Sequence, residues 1–377
     1  MAGALAAHGH QIEFIQLFPR AAQWREGDIS FRFIPPSIGA RSLARVAGRL
    51  TGREWARAVL ALPALHTARS LQPDVIHFHG LVLTLNLLAL WVVLRLPALP
   101  GRAAPVVGHY HGGFPSSNPL WRRLQALALR RLDLALFSTR AHARPFVEAG
   151  QLSWNQVGEL MEVSSHFRLR PRAAARAITG MGGAPVFLWV GRLHPVKDPL
   201  TAVRGFAHIH SVWPEAQLYL HYLTDELLPA LRSFVAERPQ LANHVHFRGT
   251  VAHERMEAVF NSADFLLQAS RREYSGYAVL EAMACGVIPV VTDIPSFRKM
   301  TADGRYGILF PPGKAETLAR RVLDFDREQI PISAAAVHHH FVQELSYEAL
   351  ARRLLSFYHE AVAGQRPGPH DPMDLLP

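Results

Sequence analysis

The chain has 377 residues, 49% of them hydrophobic and 19% charged, with a formal net charge of +10. That excludes a disordered chain and a single small domain, and it suits roughly two to three globular domains with large cores. The cations are 37 Arg and only 3 Lys, so the positive balance is a habit of the whole chain and does not point to nucleic acid, while each lysine gains in interest. The single Cys285 excludes an internal disulfide framework, fits a reducing compartment, and reads as a small buried thiol.

In chain order, Ala2–His10 reads as the tail of a helix stopped by Gly9, followed by a strand over Gln11–Leu17. A βα repeat opens on a strand and a glycine turn, so this chain begins inside a helix. Either that first strand is absent or the true start lies upstream of Met1. Phe31–Ile34 is a second strand. Arg41, Arg45, Arg49, Arg53 and Arg57 then recur at intervals of four beside Leu43, Val46, Leu50 and Trp55. On a helix this is a basic stripe, read as a solvated face or as a contact with anionic membrane or an acidic acceptor. The apolar run Leu81–Leu94 has 14 residues, short of the about 20 a membrane span needs, and predicts a buried crossover helix.

Asp74-Val-Ile-His-Phe-His-Gly80 and Pro105-Val-Val-Gly-His-Tyr-His-Gly-Gly113 share a design, a strand-length apolar run ending in His-x-His and Gly. Ligands bind at the carboxyl ends of strands in open α/β sheets, which is where His77, His79, His109 and His111 fall. The pairs invite a metal, but no carboxylate ligand stands at a recognisable spacing, so cleft hydrogen bonding is the preferred reading and no metal is expected. Leu132–Ser138 is a further strand, Val163–Pro185 reads as the connection between domains, and His338–His340 carries no evident chemistry.

The second half keeps a βα rhythm, with strands at Pro185–Val190, Gln217–Tyr222, His244–Phe247 and Tyr306–Phe310. Its centre is Ser270–Gly286, flanked by the strand-length runs Ala263–Gln268 and Val287–Thr292. This is one βαβ unit with Gly276 turning the chain into a helix whose N-terminus suits phosphate. Glu273 lies in the loop and Glu281 inside the apolar helix, seven residues between them. Arg192 and Lys197 follow the first strand of this half, a guanidinium fork and an ammonium that suit a diphosphate. With Glu281 for vicinal hydroxyls such as a ribose and Glu273 for those of a further group, the inventory describes a nucleotide-diphospho-sugar.

Here the sequence resembles the retaining glycosyltransferases of family 4, with the GT-B fold. Val190-Gly-Arg-Leu-His-Pro-Val-Lys-Asp-Pro199, Phe247-Arg-Gly-Thr250, Ser262-Ala-Asp264, the Glu-x7-Glu of Glu273 and Glu281, and Gly307-Ile-Leu-Phe-Pro-Pro-Gly313 carry the resemblance over about 185–320. In the first half it rests on His77, His79 and His111-Gly112. The resemblance implies an α/β protein of two Rossmann-like domains facing across a cleft, the N-terminal one incomplete. It implies that Gly191, Arg192, Lys197, Thr250, Glu273, Ser275, Gly276, Tyr277, Ala278 and Glu281 bind the donor. Arg192 and Lys197 would neutralise the leaving diphosphate, Glu273 hold the sugar, Glu281 the ribose, and backbone N–H groups of Ser275–Ala278 reach sugar and phosphate. His111 would line the reacting face, and no metal or cofactor is implied. The chain departs from the family in lacking the first strand and glycine-rich loop, and in Tyr274-Ser275 before the Gly.

The expected domains are 1–165 on the acceptor side, 166–345 on the donor side, a helix over 346–363 crossing back, and a tail over 364–377. The expected function is a metal-independent, retaining hexosyltransferase moving a sugar from a nucleotide-sugar donor to a glycan or lipid-linked acceptor, in cell-surface polysaccharide or glycolipid synthesis. It is expected to be cytoplasmic, with candidate peripheral membrane contact through 41–57 and no nucleic-acid partner. The alternatives are a degenerate GT-B protein that binds without turnover and, more weakly, a metal-dependent hydrolase built on the His-x-His pairs.

Overall fold

The computed structural model describes residues 1–35, 62–95 and 104–365; the basic stripe of 41–57 lies outside them. The chain divides into two compact units, Met1–Glu162 with Leu350–Pro377, and Val163–Ala349.

The first unit holds two sheets. One combines β1 (Ile12–Leu17), β2 (Ala22–Glu26) and β3 (Ile29–Ile34) in the order β1-β3-β2. β1 and β3 run parallel, and β2 and β3 form an antiparallel hairpin. The sequence reading missed β2, because Ala-Gln-Trp-Arg-Glu is exposed throughout and carries no apolar alternation. The other sheet orders β4 (Ile76–His79), β5 (Val106–His109), β6 (Leu134–Phe137) and β7 (Val157–Glu159) side by side, all parallel. β5 and β6 are buried along their whole length, as expected of parallel strands covered on both faces. Helices Thr84–Arg95, Pro119–Leu129 and Arg140–Glu148 connect them. The run from Leu81 is thus a 12-residue helix with Leu87, Leu90 and Val93 buried. No helix among the described residues is long and apolar enough to cross a membrane.

The second unit is a six-stranded parallel sheet. Its strands are β8 (Val186–Gly191), β9 (Gln217–Tyr222), β10 (Val245–Gly249), β11 (Phe265–Gln268), β12 (Ile288–Thr292) and β13 (Ile308–Phe310), ordered β10-β9-β8-β11-β12-β13. Counted from β8, this is 3-2-1-4-5-6, the doubly wound order whose direction reverses between the first and fourth strands. Phe187 on β8 stacks on Phe265 of β11, with ring centroids 5.1 Å apart. Trp189 and Phe206 are fully buried beside them. These side chains fix the two strands that border the reversal.

The stretch Val163–Pro185, read as a connection, contains the helix Arg172–Thr179. It is held to the second unit by charge. Arg172 and Arg176 approach the buried Asp264 carboxylate at 3.1 and 2.8 Å, and the same carboxylate accepts from Val186 N–H at 2.7 Å. Ser262-Ala-Asp264 is thereby a staple joining this helix, β8 and β11. The final helix, Tyr347–Val362, counts with the first unit from Leu350 onward. Its Tyr358 hydroxyl lies 2.5 Å from His77 Nδ1.

Candidate active site

In the second unit the loops after β8 and β11 meet at the reversal of strand order. Gln268 Nε2 donates to the Val190 carbonyl at 2.7 Å, closing the strand ends together. Beyond β8 the chain makes a short turn, Pro195–Lys197, and Asp198 follows in the left-handed region at φ 44°. Asp198 Oδ1 caps the helix Pro199–Val212 by accepting from Thr201 N–H. The β11 loop is tied to this turn twice. Arg271 N–H donates to the Val196 carbonyl at 2.8 Å, and the Arg271 guanidinium pairs with Asp198 at 2.9 Å.

Those ties bring Lys197 and Glu273 into a direct ion pair, with side chains 24% and 16% exposed. Ser296 Oγ donates to the Glu273 carbonyl, and Thr292 Oγ1 to that of Ser270 at 2.5 Å. The loop is therefore pinned at two points, by the last residue of β12 and by the helix that follows it. Gly276 has φ 61° and starts the helix Tyr277–Ala284. A Cβ there would stand 2.4 Å from Met300 Cε and 3.0 Å from its sulfur, so both the backbone angle and the packing require glycine. Glu281 sits one turn into the helix among buried Val279, Leu280, Ala282 and Met283. Burial pushes its carboxyl up to about 7, so near neutral pH it exists in both protonation states.

Of the other predicted residues, Gly191 ends β8 and Arg192 is exposed just beyond it. Ser275, Tyr277 and Ala278 lie at the helix start, Tyr277 with 54% of its surface exposed. Thr250 follows β10, two strands from β8, a separation of about 10 Å across the sheet; it is not brought to the pair. A cavity of about 340 Å³ beside the turn is lined by Val196, Leu200, Leu227, Ala230, Leu231 and Arg271, among others. Its walls are mostly aliphatic, and its two charged residues, Asp198 and Arg271, pair with each other, so the chemistry belongs at the strand ends.

In the first unit, His79 and His109 are register partners at the carboxyl ends of β4 and β5. His77 Nε2 lies 3.2 Å from His109 Nδ1, and His79 Nδ1 lies 2.7 Å from His111 Nε2. His111 Nδ1 is in a close hydrogen bond with the carboxylate of Glu162, whose side chain is 6% exposed. Burial, reinforced by the neighbouring imidazoles, pushes His79 down to about 4 and His109 to about 3, and holds His77 well below the usual range. These three rings are neutral at pH 7. Glu162 was not found from the sequence, since it meets His111 across 51 residues of chain. Cys285 is buried and accepts from Asn261 Nδ2 at 3.2 Å, as a packed thiol would. His338 and His340 bind the carbonyls of Ala284 and Met300, a structural use the sequence did not show.

Two family descriptions match the chain, "Glycosyl transferase 4-like domain" over residues 1–155 and "Glycosyl transferases group 1" over 184–325. Between them they leave out only a connecting stretch and the C-terminal end. The chain belongs to the group 1 glycosyltransferases. This glycosyltransferase is 26% identical over 331 residues to the GDP-mannose:cellobiosyl-diphosphopolyprenol alpha-mannosyltransferase of Xanthomonas oryzae, covering 83% of this chain and 80% of that protein. It is 30% identical over 199 residues to the D-inositol 3-phosphate glycosyltransferase of Mycobacteroides abscessus, over 52% of this chain and 44% of that one. Among solved structures it resembles sucrose-phosphate synthase from Thermosynechococcus elongatus, with TM-score 0.68 at 18% identity, covering 96% and 92% of the two chains. It also resembles Anabaena HepE in complex with UDP and glucose, with TM-score 0.63 at 15% identity, covering 93% and 100%. At these identities the structural matches speak for the fold, two Rossmann-like units of GT-B type.

Proposed function

We propose that this glycosyltransferase moves a hexose from a nucleoside-diphosphate sugar to a glycan or lipid-linked acceptor with retention of anomeric configuration. The observation that carries the donor assignment is the Lys197–Glu273 ion pair at the reversal of strand order, with Glu281 one helical turn beyond. A diphosphate entering there replaces one carboxylate of Glu273 with a more highly charged partner for Lys197. Arg192 adds a second cation, and the helix start at Tyr277 and Ala278 adds N–H donors and the positive end of a dipole. Glu273, released from the lysine, accepts from sugar hydroxyls, and Glu281 accepts from the ribose diol. As the bond from the anomeric carbon to the diphosphate breaks, charge develops on the departing oxygen. The two cations already in place stabilise it, and this electrostatic term dominates the rate. We assign His111 to the transfer step, its Nδ1–H held by Glu162.

The hexose and lipid-linked parts of this reading draw on the name of the Xanthomonas relative and on the UDP and glucose of the Anabaena structure. They support a reading in cell-surface polysaccharide or glycolipid synthesis. A single cysteine with no disulfide framework fits the cytoplasmic setting that we propose. The test is transfer from labelled nucleotide sugars to polyprenyl-diphosphate glycans, with the product's anomeric proton followed by NMR from the first turnover. An α-linked donor should give an α-linked product; a β-linked first product contradicts retention.

A further inference from the structure

The imidazoles of His77, His79 and His109 each offer a nitrogen, and the three atoms lie within 4.8 Å of one another. A tetrahedral zinc ion with bonds of 2.0–2.1 Å sets its ligand nitrogens about 3.3 Å apart. His77 Nε2 and His109 Nδ1 already stand 3.2 Å apart. Only the ring of His79, on the accessible end of β4, has to swing inward.

The outer partners decide which lone pairs are available. Glu162 holds His111 Nδ1–H, which leaves His111 Nε2 as an acceptor for Nδ1–H of His79. His79 Nε2 then carries a lone pair. His109 Nε2 is buried with no hydrogen-bond partner, so the engaged nitrogen of this ring is Nδ1, which faces His77. Tyr358 stands at His77 Nδ1 and can accept from its N–H, so that His77 Nε2 presents a lone pair to His109 Nδ1. Such a contact needs a proton or a cation between the nitrogens. His77 is braced on its far side by the Tyr358 hydroxyl and His79 by the His111 imidazole, the arrangement that orients metal-binding histidines. Three neutral imidazoles without thiolate select a borderline cation of the zinc, cobalt, nickel or copper type and not magnesium or calcium.

We propose that His77, His79 and His109 form a binding site for a zinc-class divalent cation at the carboxyl edge of the β4–β5 pair, with its fourth position open beside His111. The site stands apart from the donor assignment, and its test reads metal binding without any turnover.

The full-length protein, stripped with chelator, is titrated with Zn²⁺ against a chromophoric chelator, and separately with Co²⁺ while the visible spectrum is recorded. The expected result is one Zn²⁺ per chain, with strong Co²⁺ ligand-field bands that mark a four-coordinate ion. His79→Asn should weaken binding by about tenfold or more and abolish those bands, and Tyr358→Phe, which keeps all three ligands, should weaken it by roughly tenfold. A chain carrying His338→Asn with His339→Asn controls for the histidine run and should bind as the parent does. His79 is the most exposed of the three at the end of β4, and the unfolding midpoint verifies that its substitution leaves the fold in place. The proposal is overturned if no Zn²⁺ binds, or if His79→Asn binds as tightly as the parent. It is also overturned if binding disappears with His338 and His339.

Discussion

Lys197 and Glu273 neutralise each other while both are largely withdrawn from water, so removing either strands the other. Lys197→Ala and Glu273→Gln should each abolish transfer, and each should cost about 1–3 kcal/mol of stability, since truncating one partner of a largely buried pair leaves an uncompensated charge. The double variant should recover most of that stability and none of the activity. Chemical denaturation of the four proteins in the cycle checks this, and additive losses would mean that the pair is not coupled. Glu281 behaves differently, because burial alone raises its carboxyl to about 7 from the ordinary 4.5. The unfolded chain releases this proton as pH passes about 4.5, whereas the folded chain keeps it until about 7, so the group withdraws stability across that window. Glu281→Gln removes the titration. Its thermal midpoint should equal the parent's below pH 4.5 and exceed it increasingly up to pH 7, levelling above, with a ceiling of roughly 3 kcal/mol. A constant difference across that range would mean that the carboxyl titrates normally.

At the scale of elements, the β11–loop–helix unit depends on Gly276, where the added methyl of Gly276→Ala meets Met300 in a backbone region alanine avoids. The substitution should cost about 2–4 kcal/mol and weaken donor binding along with stability, both read from denaturation with and without donor. This unit was legible in the sequence because its signals agree. Val-Ile-Pro-Val-Val bounded by Gly286 can only be a buried strand, and a lone Glu281 inside Val-Leu-Glu-Ala-Met-Ala needs a use. The βα rhythm was legible, and with it the placing of Lys197 and Glu273 in loops that follow strands; the strand order and the direct pairing of the two were not. Nor were short or exposed elements. β7 has three residues, too few to show a period, and β2 is polar along its length. The Asp264 staple was equally hidden. Its guanidinium partners lie 92 and 88 residues away, and in a chain with 37 arginines no spacing singles them out. Asp264→Ala takes the carboxylate from Arg172, Arg176 and the Val186 N–H, leaving Arg176 only its carbonyl contacts, and should lower stability by about 3 kcal/mol.

For the whole molecule, the central claim is that the second unit grips a nucleoside-diphosphate sugar through Lys197, Glu273 and Glu281. The two matched family descriptions make the chain a glycosyltransferase; the ion pair says where its donor should go. The direct measurement is the thermal midpoint of the full chain against a panel of UDP-, GDP-, ADP- and TDP-sugars, with Lys197→Ala beside it. At a hundredfold excess over its dissociation constant, the true donor should add about 2.7 kcal/mol, and that gain should vanish in Lys197→Ala. Stabilisation of the same size in the variant, or none from any donor in the parent, would contradict the assignment.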